Sequence, residues 1–319
     1  MSTILALDPG FGNTKVASLQ GLFVLQSAVA RPREIGMAAK GLETRTRPQT
    51  VTLANGDAYV TGPGAWAWGE PLSSLDFNDQ TSPQRLALFY AAIAHLLPHG
   101  EHLCDLLVIG LPVPLLQDDL QAKAVMAGMS QYKATHEFGV DGKQYRLTIK
   151  RLRALAQPVG AYADWMLNEE GHVRQGAANA EAAIIDIGMN TLDLYVIQGW
   201  KVSPRFIGGG KLGIRRLLEV LNPSGRDLEE LDAALRRGAL QPSEEQKHVW
   251  LGAILGNIER IWPGLRRFSI VIPTGGGAVA LGESLRSALA AKGAAVHWPE
   301  NPITSNVTGF YKWGCRAYR

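Results

Sequence analysis

Apolar and polar positions along the 319-residue chain follow two rhythms. Short apolar runs that stop abruptly at polar, glycine-bearing turns predict buried strands. Residues 3–7 form the first run, broken by Asp8-Pro-Gly-Phe-Gly-Asn-Thr-Lys15, and 16–21 form the second. Runs at 106–111, 145–149, 182–185, 192–197 and 268–272 predict further strands. Helical spacing predicts helices over 83–97, 117–129, 214–221, 227–237, 243–261 and 279–290. A last short helix, introduced by Asn301-Pro302, carries Val307, Phe310 and Trp313. The stretch 31–79 is more polar and broken, with Asn55-Gly56 between alternating runs as a hairpin signal, and reads as a small β-rich insert.

The two halves share a grammar. Asp8-x-Gly10, Asn13-Thr14 and Gln20-Gly21 line up, with one gap, with Asp186-x-Gly188, Asn190-Thr191 and Gln198-Gly199. Two copies of strand, acidic glycine turn and strand, 178 residues apart, predict a duplicated α/β domain.

Composition narrows the class. With 46% hydrophobic residues, the chain has about two domains' worth of core-forming sequence. A net charge of +3 is too small and scattered for a surface that grips nucleic acid through many phosphates. Two cysteines exclude a disulfide scaffold and point to a reducing compartment. No run approaches the roughly 18 apolar residues of a membrane span, and Asp8 interrupts the N-terminal run before a signal peptide builds up. A cytoplasmic protein without membrane contact is expected. The 35 glycines call for an explanation.

Glycine turns at the carboxyl ends of buried strands let backbone N–H groups approach phosphate oxygens, because no Cβ intervenes. An aspartate in such a turn repels phosphate but can hold Mg²⁺ through water, and the metal bridges the phosphates. Two facing turns of this kind would clamp a polyphosphate, with Lys15 as a compact positive charge and Thr14 and Thr191 as hydroxyl donors. Other phosphate motifs fit less well. No Gly-x-x-x-x-Gly-Lys-[Ser/Thr] occurs. Gly208-Gly-Gly-Lys-Leu-Gly213 matches a dinucleotide fingerprint literally, but no strand ending in an acid follows about 20 residues on. His95, His99, His102 and Cys104 are split by Pro98 and Gly100, so a solvated helix end is the better reading than a metal site. Cys315 has no local histidine base. Trp66 and Trp68, at strand spacing, read as packing, and Lys150-Arg-Leu-Arg153 as a strand edge.

These residues carry a family resemblance. Asp8-x-Gly-x-Gly-Asn-Thr-Lys15 resembles the phosphate-1 motif of the actin/Hsp70/sugar-kinase superfamily, in its bacterial ParM/StbA plasmid-segregation branch. Asp186-Ile-Gly-Met-Asn-Thr-Leu-Asp193 resembles phosphate-2, and Ile272-Pro-Thr-Gly-Gly-Gly-Ala278 the adenosine motif. Gln157-Pro-Val-Gly-Ala161 falls where that superfamily has its first connecting segment. The segment 303–312 is similar to the C-terminal Asn-x-x-Gly-[Phe/Leu]-x-Lys of ParM-like proteins. The ordered set spans the whole chain.

The resemblance implies an actin-like ATPase fold: two duplicated, ribonuclease-H-like α/β domains around a central nucleotide cleft, each with a small subdomain. Domain I would comprise 1–157 plus 302–319, with 31–79 as its outer subdomain; domain II would span 158–301, with helices 222–262 as its subdomain. Asp8 and Asp186 would organise water-coordinated Mg²⁺. Gly10, Gly12, Asn13, Thr14 and Lys15 would grip the β- and γ-phosphates of ATP (or GTP) from one side, and Gly188, Asn190 and Thr191 from the other. Gly209, Gly210, Gly275, Gly276 and Gly277 would frame the ribose and base. Gln157 would orient the attacking water. ParM-like chains often carry glutamate there, and a neutral amide is no general base near pH 7, so slow hydrolysis acting as a timer is expected. Met189 and Asn190 stand where relatives often have smaller residues.

The implied function is a filament-forming ATPase that associates head-to-tail with itself and segregates plasmid DNA through an adaptor protein bound to centromere-like DNA. A sugar-kinase-like phosphotransferase and a non-polymerising nucleotide-dependent clamp share the superfold. The first would need a catalytic Asp-Gly-Ala site, of which 60–110 shows no convincing example, and the second a large substrate domain, which is not expected here.

Overall fold

A computed structural model describes residues 3–33, 48–71, 80–117, 119–222 and 225–318. The chain forms two compact units, Met1–Ile109 with Pro114–Ala154, and Gly110–Val113 with Leu155–Arg319.

The first unit opens with the antiparallel strands β1 (Ile4–Pro9), β2 (Asn13–Ser18) and β3 (Gly21–Gln26). After β4 (Val29–Pro32), β5 (Gln49–Leu53), β6 (Ala58–Thr61) and β7 (Gly69–Pro71) comes helix α1 (Pro83–Ile93). Then follow β8 (Gly100–Cys104), β9 (Leu106–Leu111), α2 (Val113–Gln117), α3 (Asp119–Met129), β10 (Thr135–Val140), β11 (Lys143–Ile149) and β12 (Leu152–Ala156). One sheet runs β12-β9-β1-β2-β3 and the other β7-β4-β6-β5-β10-β11-β8. All six residues of β1 are buried, as expected of a strand covered on both faces. Ser82 starts α1 by accepting a hydrogen bond from the Arg85 amide, and Pro83 occupies its first turn, where no amide is needed.

Several local expectations change here. Asn55-Gly56 does turn the β5–β6 hairpin, with Gly56 at φ 88°. The strands of the 31–79 insert do not stand alone: they share a sheet with β10, β11 and β8. Residues 34–47 and 72–79 of that insert, and residue 118 of the expected helix, lie outside the described residues. Trp66 lies in a 3₁₀ turn over Ala65–Ala67 and Trp68 caps that turn, so neither is on a strand; Trp68 packs against a small cluster of Ala30, Val60 and Ala65. The end of α1 is solvated as expected, with His95 and His99 exposed and His95 stacked on Phe23; beyond Pro98 the chain resumes as β8, whose last residue, Cys104, is buried. Among the described residues no group of three or more His, Cys, Asp or Glu could hold a metal.

His136 on β10 is buried, with Nε2 3.0 Å from the Tyr132 carbonyl and Nδ1 2.8 Å from the Tyr90 hydroxyl. A carbonyl only accepts, so Nε2 carries the proton, and because burial disfavours the charged ring Nδ1 accepts from the Tyr90 hydroxyl. Burial lowers the pKa of His136 and pushes that of Tyr90 up. The unfolded imidazole titrates near 6.5, so the contribution of His136 to stability is complete above that pH. It is lost as pH falls toward the lowered folded value, at up to about 1.4 kcal/mol per pH unit. The expected result is a steeper fall in melting temperature from pH 7 to 5.5 for the wild type than for His136→Gln. Parallel pH profiles would refute this.

The second unit begins with α4 (Gln157–Met166) and the hairpin β13 (Glu181–Ile187) and β14 (Leu192–Gln198). It continues through β15 (Lys201–Val202), β16 (Gly208–Gly210), α5 (Ile214–Val220), α6 (Leu228–Arg236), α7 (Glu244–Ile261), β17 (Ile270–Thr274), α8 (Gly276–Ala291) and α9 (Ser305–Ala317). The sheet runs β15-β14-β13-β17, with β16 on β14. Alternation divides β13 between two cores: Ala183, Ile185 and Ile187 face a cluster with residues of α5, α7 and α8, while Ala182 and Ile184 face one with residues of α4. Through Trp250, Leu251, Ile254 and Ile258, α7 enters the first core instead of forming an outlying helical subdomain over 222–262, of which 223–224 lie outside the described residues.

The duplication is visible in the ladders. β1 pairs antiparallel with β2 and parallel with β9; β13 pairs antiparallel with β14 and parallel with β17. The C-terminal helix, expected with domain I, lies in the second unit, where α9 packs on α4. Glycines at the crossing explain it: a Cβ on Gly160 or Gly309 would strike the backbone of the opposite helix.

Candidate functional site

In the first unit, the turn between β1 and β2 carries the first acidic glycine motif. Register sets Asp8 opposite Lys15, and Lys15 Nζ donates to Asp8 Oδ2 at 2.7 Å in a pair almost wholly buried. Thr14 Oγ1 lies 2.9 Å from Ser27 Oγ, which donates to the Gly10 carbonyl at 2.7 Å. The Ser27 amide takes the Gly12 carbonyl. Arg85, buried on α1, donates through Nη1 to the Pro9 and Gly10 carbonyls at 3.3 and 3.2 Å, and its guanidinium lies 4.8 Å from the Phe11 ring centroid. Three turn carbonyls are thus held by donors behind the turn. Asn13 is the first residue of β2, opposite Gln26.

In the second unit, β13 and β14 repeat the motif with a change of charge. Asp186 faces Asp193 across the ladder, and Asp193 follows Asp186 by the same seven residues that separate Lys15 from Asp8. Where the first turn pairs an acid with a base, the second pairs two buried acids. Burial, and then the neighbouring Asp186, push the Asp193 carboxyl up to about 7, opposed by a hydrogen bond from Thr191 Oγ1 at 2.9 Å. Asp186 Oδ2 accepts from Asn306 Nδ2 at 2.8 Å. The carbonyls of Gly188, Met189 and Asn190 accept from the amides of Ile214, Arg215 and Gly213 at the start of α5. Those carbonyls in turn satisfy amides that a helix start leaves without partners. Asn190 Oδ1 is buried and has no hydrogen-bond partner among protein atoms.

The remaining glycines border this hairpin. Gly208–Gly210 is itself a strand, β16, antiparallel to β14, with Gly209 opposite Asp193 at φ 148°. A dinucleotide fingerprint needs a turn leaving a parallel strand, so that reading is excluded. Two tryptophans on and just after α7 bracket β16: Trp262 Nε1 donates to the Phe206 carbonyl and Trp250 Nε1 to the Leu212 carbonyl, each at 2.9 Å. Asn257 of α7 lies beside Gly210 with Oδ1 buried and unpartnered among protein atoms. Gly275 leads from β17 into α8 at φ 87°, where a Cβ would sit 2.7 Å from Asp186 Oδ1. Its amide and the Thr274 hydroxyl donate to the Pro302 carbonyl at 2.9 and 2.8 Å. Gly276 and Gly277 form the first turn of α8, against Ile214 and Ile187.

Gln157 is the first residue of α4, with Pro158 next in its opening turn. The C-terminal segment holds this helix down. Asn306 Oδ1 accepts from the Ala161 amide at 3.2 Å. Gly309 admits the close crossing, and Phe310 packs at Gly110, which also borders Gln157. Lys312 Nζ meets Asp164 Oδ1 at 2.9 Å and Glu169 at 2.8 Å, and Ser305 donates to Asp164 Oδ2.

In the first unit, then, the expected residues lie on one strand–turn–strand; in the second, Gly209, Gly210 and Gly275 border the β13–β14 hairpin, while Gln157 lies on α4. Sequence reasoning missed roles for Arg85, Ser27, Asp193, Asn257 and Asn306. Asp193 and Asn306 stood inside recognised motifs, and their spacing from Asp186 and Gly309 was the available signal. The residues fit a phosphorylated ligand carried with Mg²⁺. Buried Asp8 and Asp186 offer one carboxylate per turn, as suits a cation held largely by water and phosphate oxygen. The orphaned amide oxygens of Asn190 and Asn257 each lack a donor, a deficit of about 1–3 kcal/mol that a bound donor would relieve.

Residues 6–160 match the family described as actin like proteins N terminal domain. The archaeal actin homologue Ta0583, in complex with ADP, is 19% identical and covers 100% of both chains at a TM-score of 0.71. The psk41 ParM protein in its apo form is 17% identical, covering 98% of this chain and 97% of its own at 0.72. A 15-stranded ParM filament from Clostridium botulinum is 17% identical, covering 98% and 99% at 0.69. No curated protein matches. The expected actin-like α/β fold is borne out, and over residues 6–160 so is the resemblance to actin-like proteins. No helix among the described residues is long and apolar enough to cross a membrane.

Proposed function

We propose, from the premise of an actin-like chain, that this protein binds ATP with Mg²⁺, hydrolyses it slowly, and assembles head-to-tail into filaments under nucleotide control. The observation that carries the reading is the repeated acidic glycine hairpin, one per unit, with its carbonyls tied back by Arg85 and Ser27 in one case and by the start of α5 in the other. Such turns are rigid, and rigid donors stabilise phosphate charge without reorganising.

In this reading Lys15, Gly10, Gly12, Asn13 and Thr14 of the β1–β2 turn are phosphate ligands, as are Gly188, Asn190 and Thr191 of the β13–β14 turn. Asp8 and Asp186 would hold Mg²⁺, which would supply positive charge to the phosphates. Gly209, Gly210 and Gly275 to Gly277 accommodate the nucleoside, ATP or GTP. Gln157, at the start of α4, orients the attacking water through its amide. An amide accepts and donates but takes up no proton near pH 7, which supports slow turnover. With a net charge of only +3, a role in DNA segregation would run through an adaptor protein bound to centromere-like DNA and not through direct contact with DNA. A heterologous head-to-tail contact that does not close supplies the filament.

Sedimentation with light scattering in ATP and in ADP tests the whole reading: pelleting in ATP and release as ADP accumulates are expected. No pelleting over a wide concentration range would overturn the filament. Gln157→Ala is expected to slow hydrolysis about 100-fold while leaving nucleotide binding nearly intact. Hydrolysis at the wild-type rate would remove Gln157 from the mechanism.

A further inference from the structure

Asn306 lies far in sequence from every glycine turn, yet it touches two parts of the reaction machinery of the second unit. It is 5% exposed, and both ends of its amide are engaged. Nδ2 donates to Asp186 Oδ2 at 2.8 Å, and Oδ1 accepts from the Ala161 amide at 3.2 Å. These partners fix the amide's orientation, since a carboxylate can only accept and a backbone N–H can only donate. Ala161 is four residues after Gln157, so its amide is the one the helical ladder directs at the Gln157 carbonyl. A single side chain thus ties the acid of the β13–β14 turn to the helical turn that presents Gln157.

The geometry points to Asn306 as a positioning residue for nucleotide hydrolysis, a role that rests on the ATPase reading above. It holds one oxygen of Asp186 in place, so that carboxylate and Gln157 keep one distance and one relative orientation. The crossing helices make this a stiff connection. Ser305 and Lys312, one residue before Asn306 and six after, anchor α9 to Asp164 of α4, and Gly160 and Gly309 bring the two backbones together. The link is also chemically specific. Aspartate at 306 has the volume of asparagine and could still accept from Ala161, but would set a second negative charge 2.8 Å from Asp186 Oδ2. Alanine would remove both contacts.

The test uses the full chain and reads three quantities: melting temperature, affinity for a fluorescent ATP analogue in EDTA and in Mg²⁺, and single-turnover ATP hydrolysis. Asn306→Ala is expected to slow hydrolysis by about 10–100-fold, the usual cost of losing the partner that orients a metal-side ligand. Its affinity in EDTA should stay within about 3-fold of wild type, while the tightening brought by Mg²⁺ shrinks. Asn306→Asp should be slower than Asn306→Ala. In an Asp186→Asn background, Asn306→Ala should add less than about 2-fold, because it acts through the missing carboxylate. Equal factors in the two backgrounds, or a lower melting temperature with hydrolysis and the Mg²⁺ effect unchanged, would overturn the role and leave Asn306 as packing alone. Loss of folding in both the alanine and aspartate variants would do the same. A wild-type chain that neither binds nor hydrolyses ATP would overturn the ATPase reading itself; an active wild type with an unaffected Asn306→Ala would overturn only this link.

Discussion

Gly309→Ala is expected to lower the melting temperature of the chain by roughly 6–12 °C, and to do so through one methyl group. A Cβ at this position points into α4: it would overlap the Gly160 carbonyl and come 2.6 Å from the Asp164 amide. Both obstacles are backbone, so no side-chain rotation relieves them, and α4 and α9 must separate. Separation would break the Asn306 and Ser305 hydrogen bonds to the facing helix and loosen Lys312 from Asp164. Overpacking of this sort costs about 3 kcal/mol. In a unit of this size each kcal/mol shifts melting by about 2–4 °C. Gly252→Ala is the control. That glycine lies on the exposed side of α7 with nothing within 4 Å, and alanine there should stabilise by about 0.5–1 kcal/mol. Melting curves of the two variants decide the matter; Gly309→Ala melting with wild type would disprove the close crossing.

The contrast between these glycines marks what the sequence could reveal. The acidic turns were legible because their cause is local. An apolar run, an acid and closely spaced glycines fix a strand and its exit wherever they occur, and the same string appears twice. The β1–β2 and β13–β14 hairpins follow from it, down to the register that sets Asp8 and Asp186 at the strand ends. The glycine turn at Gly275, between β17 and α8, was legible for the same reason.

What escaped was decided by distant partners. Arg85 looks like any polar residue near a helix start, and only the Pro9 and Gly10 carbonyls, more than 70 residues away, account for its burial. β8 hides behind a proline and two histidines because its parallel partner, β11, is 45 residues on. Helix α9 carries an apolar face that any core would accept, and the small residues of α4 select the second unit for it. Asp193 was in view throughout as part of Leu192-Asp193-Leu194. Its meaning appears only when the ladder places it opposite Asp186, where the first unit has Lys15 opposite Asp8.

That exchange of lysine for aspartate sets up the second large effect. Lys15→Ala is expected to destabilise the chain by about 3–5 kcal/mol, because it strips the cation from a carboxylate that is itself almost fully buried. Asp8→Ala should cost less. Lys15 keeps some exposure, and its flexible stem can carry the ammonium toward water. The double variant Asp8→Ala/Lys15→Ala should recover most of the stability lost in Lys15→Ala, since no isolated buried charge remains. The coupling between the two positions should be about 2 kcal/mol or more; denaturant melts giving additive losses would show that the pair acts as two separate residues. Nucleotide binding should follow a different order. In the proposed function Lys15 also faces phosphate, so ATP affinity should drop about 10–100-fold in Lys15→Ala, the worth of one hydrogen bond to a charged group. Measured in EDTA, where the Mg²⁺ role proposed for Asp8 does not enter, it should stay low in the double variant even as the fold recovers. Stability returning without affinity would separate the two duties of Lys15, as partner of Asp8 in the folded chain and as ligand of the phosphates. Affinity returning together with stability would mean that Lys15 serves the turn and not the nucleotide.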